Sequence, residues 1–327
     1  MNTSGSIGRI LNKYTIFIVL FVMALALSFL SPYFLTAQNL INVLITESGR
    51  GILAIGVAFT IISKGIDLSV GSIVSLTSVV AASLIQDPTY GARIFPGLPL
   101  LPVIVPVLAG LAAGIAIGAI NGALIAYTAI PPFIATLGSM IVARGLGLIL
   151  TNAYPVPMLR PEFKLIGQGS LGPIPFVVIV FALVAIVAYI LLNSTKFGKN
   201  VYAIGGNINA ARTSGIKVEK NLVFIYGFSG LCASIAGILI TARAASGIAT
   251  LGNNYELDAI AAATIGGTSH AGGIGTVPGI IAGILILGIL NNGLLLLGIS
   301  PYLQQVIKGV IIVVAVVFDM RKNAVRR

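Results

Sequence analysis

The side chains able to do chemistry are few. The 327-residue chain carries one histidine, one cysteine and eight carboxylates. His270 alone cannot build a histidine metal site, and beside Gly272-Gly273 it reads as a solvated turn residue. A single cysteine excludes a disulfide framework or a cysteine metal site. Cys232 lies among the small residues of Gly230–Gly237 and reads as a packed helix position. The carboxylates are Glu47, Asp67, Asp87, Glu162, Glu219, Glu256, Asp258 and Asp319. Nearly all fall at the ends of apolar stretches or between them. Carboxylates in mid-membrane would signal proton or sodium coupling, so this distribution argues against an ion-driven carrier. No catalytic pair is visible, and the chain is not expected to be an enzyme.

Two nucleotide-binding patterns fail. Gly198-Lys199 is followed by Asn200 and lacks the upstream glycine of a phosphate-binding loop. Gly167–Gly172 fits G-x-G-x-x-G in form but has no strand–helix context, and Pro173 stands where the phosphate-binding helix would start. Amides and hydroxyls remain as candidates to meet a neutral solute: Asn121, Asn291 and Asn292 first, then Ser69, Ser72 and Thr268. Each could equally join helices to one another.

The elements that must position these residues are membrane helices. Hydrophobic residues make up 57% of the chain and charged ones 8%, against about 25% charged in soluble domains. The mean hydropathy is +1.07. The fold class is therefore all-α integral membrane protein, with 1–327 expected to form a single transmembrane domain. Uncharged runs cover 14–46, 94–143, 165–195, 221–242 and 259–307. The two longest exceed one crossing of a ~30 Å core and are predicted to break at Pro131-Pro132, at Gly272-Gly273 and at Ser300-Pro301. About ten spans follow: 15–35, 48–63, 70–86, 99–128, 132–152, 173–193, 221–242, 257–270, 274–297 and 302–319. The second and eighth are short enough to be broken or half-crossing. The apolar stretch 14–35 is too long for a signal-peptide core, so it reads as an uncleaved first span.

The net charge is +11. The charges are scattered through short loops and termini, which points to membrane orientation rather than nucleic acid. With both termini inside, twelve of nineteen basic residues fall on the cytoplasmic side and five outside, among them Arg50. This supports an N-in, C-in arrangement. Gly110, Gly114, Gly118 and Gly122 form a stripe at helical spacing, as do Gly275, Gly279 and Gly283, and both predict close helix packing. Shifting by 169 superposes Gly110, Gly114, Ile115, Ile117 and Ile120 on Gly279, Gly283, Ile284, Ile286 and Ile289. The two copies would run in opposite directions, as in inverted-repeat transporters; chance matches in Gly/Ile-rich sequence compete with that reading.

The segment 194–220 is far longer than a connection requires. It is basic, is punctuated at Gly205-Gly206-Asn207, and can form a short helix over Ile208–Ser214. It reads as a docking element.

At this segment the chain resembles the permease subunits of ATP-binding-cassette importers for simple sugars of the ribose, xylose and galactose type. The resemblance spans about 30–320. It rests on GIDLSVGS (Gly65–Ser72), PPFIATLGSMIVARGLGLILT (Pro131–Thr151), FGKNVYAIGGNINAARTSGI (Phe197–Ile216) and ELDAIAAATIGGTS (Glu256–Ser269) with GGIGTVPG following. It implies a pathway formed by two permease copies, identical or related, with two ATPase subunits on the cytoplasmic face and a periplasmic sugar-binding protein. It implies no cofactor on this chain, ATP and Mg²⁺ being held by the ATPase. In the wider superfamily the docking loop carries EAA-x-x-x-G; here Ala210, Ala211 and Gly215 fit, and Asn209 replaces the glutamate. Lys199 and Lys64 stand where arginine and glycine are expected. Gly198, Lys199, Gly205, Gly206, Asn207, Ala210, Ala211, Arg212 and Gly215 are the coupling candidates, with Lys199 and Arg212 supplying pairing charges. Glu256 and Asp258 are candidates for contact with the binding protein. A permease for branched-chain amino acids or another small solute, or an ion-coupled carrier, is the alternative.

Overall fold

The computed structural model describes residues 4–324 and is almost entirely helical. In chain order come α1 (Ser4–Leu30), α2 (Ala37–Ile62), α3 (Val70–Leu84), α4 (Ile104–Thr128), α5 (Pro132–Thr151) and α6 (Pro161–Gln168). A two-residue hairpin, β1 (Ser170–Leu171) with β2 (Ile174–Pro175), leads to α7 (Phe176–Ser194), α8 (Lys196–Gly206), α9 (Ile208–Thr213) and α10 (Val218–Ala244). The chain continues through α11 (Tyr255–Ile265), α12 (Val277–Leu296) and α13 (Pro301–Ala324). Six helices among the described residues are long and apolar enough to cross a membrane: α2, α4, α5, α7, α10 and α12. Ile16–Leu30, Val70–Leu84 and Pro301–Val314 are shorter apolar helices.

Local chemistry explains the boundaries. Pro132 and Pro301 each open a helix, where a missing N–H costs nothing. Gly272 and Gly273 both have positive φ, at 84° and 73°, and turn the chain between α11 and α12. The Thr276 hydroxyl then accepts from Gly279 N–H to cap α12. The three predicted breaks are all present.

α2 and α10 form the buried centre, with α10 packed on α4, α2, α3 and α6. The α4 glycine stripe makes this possible. A methyl on Gly118 would strike the Tyr226 carbonyl, and one on Gly122 would lie 2.6 Å from the Val223 Cα. Gly279 and Gly283 likewise face Gly266 and Ala262. Cys232 is buried against Gly56. On the periphery the pattern inverts, and Phe21, Phe29, Ile141, Ile149, Ile186 and Val310 are exposed. That is the surface a lipid-facing bundle presents.

Two expectations need comment. The second span begins at Ala37, not 48, and is a full 26-residue helix. Glu47 and Arg50 looked like a boundary but pair with each other inside it, so Arg50 belongs to no loop. The eighth is indeed short: α11 has 11 residues, about 16 Å. It is preceded by an irregular segment, 246–254, that runs along α3. There the Ile248 N–H donates to Ser78 Oγ (3.2 Å) and the Gly252 N–H to Ser75 Oγ (3.1 Å). Irregular backbone survives inside an apolar bundle only with such partners.

Candidate functional site

The polar residues gather in three places. The first is the 194–220 segment, which is helical rather than loop. Thr195 caps α8 through Gly198 N–H, and Asn207 caps α9 by accepting from Asn209 and Ala210 N–H at 3.0 Å each. α8, unforeseen from sequence, lies tightly on other elements. Gly205 sits against the Ile62 carbonyl at the end of α2, leaving no room for a Cβ. That carbonyl also accepts from Gly273 N–H at 2.7 Å, and Tyr202 Oη donates to the Gly275 carbonyl at 2.7 Å. Gly198 is buried, while Lys199, Gly206, Asn207, Ala210, Arg212 and Gly215 are exposed. Ala211, expected to offer close approach to a partner, is 4% exposed and faces inward. Arg212, expected to supply a pairing charge, is bound to Glu219 of this chain at 2.7 Å. His270 is partly buried and hydrogen-bonded to Thr264 Oγ1 at 2.8 Å, which corrects the solvated-turn expectation.

The second cluster lies where α2 passes into α3. Asp67, fully buried, accepts from Ser69 N–H (3.0 Å), Ser69 Oγ (2.6 Å) and Ser229 Oγ (2.8 Å). Asn121 donates to Ser69 Oγ at 2.9 Å and accepts from Ser139 Oγ. The α2–α3 connection is thereby knotted to α4, α5 and α10, and each of the three serine hydroxyls donates within the knot.

The third cluster lies toward the opposite end of the bundle. Arg50 Nη1 donates to Glu47 Oε1 at 2.9 Å, and Arg50 Nε lies 3.6 Å from Asp258, which Lys308 also contacts at 3.2 Å. The Arg50 guanidinium stacks over the Tyr255 ring at 5.3 Å. Two anions and two cations alternate, so the chain of charges is neutral. Glu47 lies about 15 Å along α2 from Ala37 and is 4% exposed. Beside these charges opens a cavity of about 310 Å³, lined by α2, α12 and α13. Asn39 and Asn292 exchange amide hydrogen bonds of 2.9 and 2.8 Å on its wall.

The six solute candidates are therefore not brought together. Asn121 and Ser69 belong to the closed knot. Asn291 and Asn292 line the cavity. Ser72 and Thr268 are buried singly, their hydroxyls unpartnered. Glu256 and Asp258 are not presented at a surface. Glu256 is 7% exposed, with one oxygen against Gly71, and Asp258 is held by Arg50 and Lys308. The expectation that carboxylates stand at span ends or between spans fails for Glu47, which sits midway along α2. Asp67 lies in the α2–α3 connection and Glu256 and Asp258 in the first turn of α11, and all four are turned into the bundle. Glu47, Arg50, Asp67, Ser229 and Lys308 were missed. The visible signal was Glu47 and Arg50 at i, i+3 on one helix face.

Comparison with known proteins supplies the family. Residues 39–316 match the model described as branched-chain amino acid transport system / permease component. The chain is 42% identical over 316 residues to the galactose/methyl galactoside import permease of Escherichia coli (strain K12), covering 94% of each. It is 43% identical over 317 residues to the ribose import permease of Bacillus subtilis (strain 168), covering 96% of this chain and 95% of that one. The ribose import permease of Escherichia coli (strain K12) is 43% identical over 310 residues, 94% and 93% covered. No solved structure shows significant similarity. With this match over most of its length, the chain belongs to the branched-chain amino acid transport system / permease component family of multi-pass membrane proteins.

Proposed function

We propose that this chain is the membrane-spanning subunit of an ATP-binding-cassette importer, admitting a monosaccharide of the ribose or galactose kind across the inner membrane of a bacterial cell. One observation carries the reading: relatives matching nearly end to end at 42–43% identity are import permeases for those two sugars. In this reading two permease copies, identical or related, form the pathway. A periplasmic binding protein delivers the sugar, and a separate ATPase binds ATP and Mg²⁺. The chain holds no cofactor and catalyses no reaction. The basic 194–220 face is cytoplasmic, with N-in and C-in termini, and residues 1–327 act as one transmembrane unit.

α8 and α9 form the coupling element. Exposed Ala210 and Lys199 are its contact points, whereas Gly205 and Tyr202 relay displacement to the end of α2 and to the 267–276 turn. Ala211 and Gly198 serve its packing, and Gly215, at φ 82°, its exit turn. A rigid short helix seated on backbone contacts can pass on a push without first deforming.

The decisive experiment reconstitutes the permease with its neighbouring ATPase and binding protein in vesicles. Uptake of labelled ribose or galactose that needs both ATP and the binding protein is expected. Uptake by the chain alone, abolished by an uncoupler, would overturn the reading. Preferential uptake of leucine would replace the cargo.

A further inference from the structure

The closed knot and the open cavity each join a carboxylate to side-chain amide groups, but of the two only the cavity has unmet hydrogen bonds. We propose that the cavity between α2, α12 and α13 is a transit site for one monosaccharide ring. The inference rests on the sugar-import reading and gives the cargo a place within it.

The volume of about 310 Å³ lies at the lower end of small-molecule sites and suits a single sugar ring. Three buried atoms at or beside it make no hydrogen bond: Glu47 Oε2, Asn291 Oδ1 and Arg50 Nε, the last only ion-paired with Asp258 at 3.6 Å. Two are acceptors and one is a donor. A hydroxyl donates and accepts at once, so a ring bearing several can meet all three. A bare cation would satisfy only the acceptors, and an anion only Arg50. The neighbouring charges, Glu47 and Asp258 against Arg50 and Lys308, sum to zero, which also favours a neutral occupant. Buried polar groups without partners are costly, so the site gains by being filled.

Among the described residues no aromatic ring lines this cavity, so there is no stacking platform to hold a sugar long. A conduit needs binding strong enough to admit its cargo and weak enough to release it. Room is kept by Gly288, because a Cβ there would press on the Glu47 side chain. The cavity also touches the motor side through one helix. α2 carries Glu47 and Arg50 at the site and ends at Ile62, whose carbonyl abuts Gly205 and accepts from Gly273. Movement of α8 can thus reach the sugar site along a single rigid element.

The test uses the complete transporter in vesicles. Asn291→Leu should lower uptake of tritiated D-ribose or D-galactose about five- to tenfold, as expected for one lost buried hydrogen bond. ATPase stimulation by the loaded binding protein should stay within about twofold. A second readout needs no transport. Cys232 is buried, so Gln304→Cys adds one thiol at the cavity wall. Its alkylation rate should fall several-fold with millimolar ribose or galactose, and not with sodium, potassium or leucine. Protection by a cation without protection by either sugar overturns the proposal. So does unchanged uptake in Asn291→Leu together with sugar-insensitive alkylation of the Gln304→Cys variant, while wild-type uptake leaves the sugar-import reading standing. If the wild type takes up neither sugar, the reading falls and the proposal with it.

Discussion

The knot around Asp67, with serine hydroxyls, and the cavity around Glu47, with an arginine, differ most in how closely the helices around them stand. Each has a carboxylate, amides and donors drawn from several helices. Around Asp67 the helices close tightly, and Ser69, Ser229, Asn121 and Ser139 satisfy one another and the carboxylate. Around Glu47 the helices stand apart, and hydrogen bonds remain to be made. Polar residues inside a membrane bundle act as glue where space is absent and as a site where space remains.

The largest effect that could break this contrast is Asp67→Ala. It leaves three buried donors without an acceptor, a loss of about 3–5 kcal/mol. Thermal unfolding in detergent should show a much lower midpoint or no folded protein. An unaffected midpoint would mean that the knot holds nothing together.

Asn121→Leu and Asn291→Leu sharpen the contrast because they should diverge. Asn121 makes two side-chain hydrogen bonds, so its loss should destabilise by about 2 kcal/mol. Asn291 has an unmet buried oxygen, so its loss should leave the midpoint level or raised while uptake falls. Equal destabilisation by both would erase the distinction.

Coupling gives a prediction of intermediate size. Gly205→Ala forces a methyl against the Ile62 carbonyl and should cut uptake while ATP hydrolysis continues, read as a changed ratio of sugar moved to ATP consumed. Arg212→Ala removes an exposed pair, 55% and 35% accessible, and should change stability by under about 1 kcal/mol.

The smallest effect is one of pH. In the exposed connection after α3, the Thr89 hydroxyl and N–H hold Asp87 below the usual carboxylate range. A depressed folded value means that the turn's stability is present above the unfolded carboxylate range. It is lost as pH falls through the lowered value. Hydrogen exchange at the Thr89 amide should quicken there, and Asp87→Asn should remove the dependence.

Much of the architecture was legible because it depends on local chemistry. Pro131-Pro132, Gly272-Gly273 and Ser300-Pro301 end helices by backbone rules, and glycine stripes announce close packing. The short helix after Asn207 was legible from the Gly205-Gly206-Asn207 punctuation before it. The start of α2 was not, because a charge pair inside a span resembles a span end until its partners, Asp258 and Lys308, are known. α8 was hidden for a related reason: its glycines look like loop punctuation, yet Gly205 serves an approach to Ile62 that lies 143 residues away in sequence.

By itself the sequence determined that this chain is a helical membrane protein, where its helices break, and which family it resembles, since hydropathy and backbone stereochemistry act over short stretches. Tertiary structure alone decided which asparagine is glue and which faces a cavity. It also decided that Glu256 and Asp258 point inward and that α2 runs from the cavity to a contact with α8. Those outcomes depend on how closely helices distant in sequence approach one another, and no local pattern records that distance.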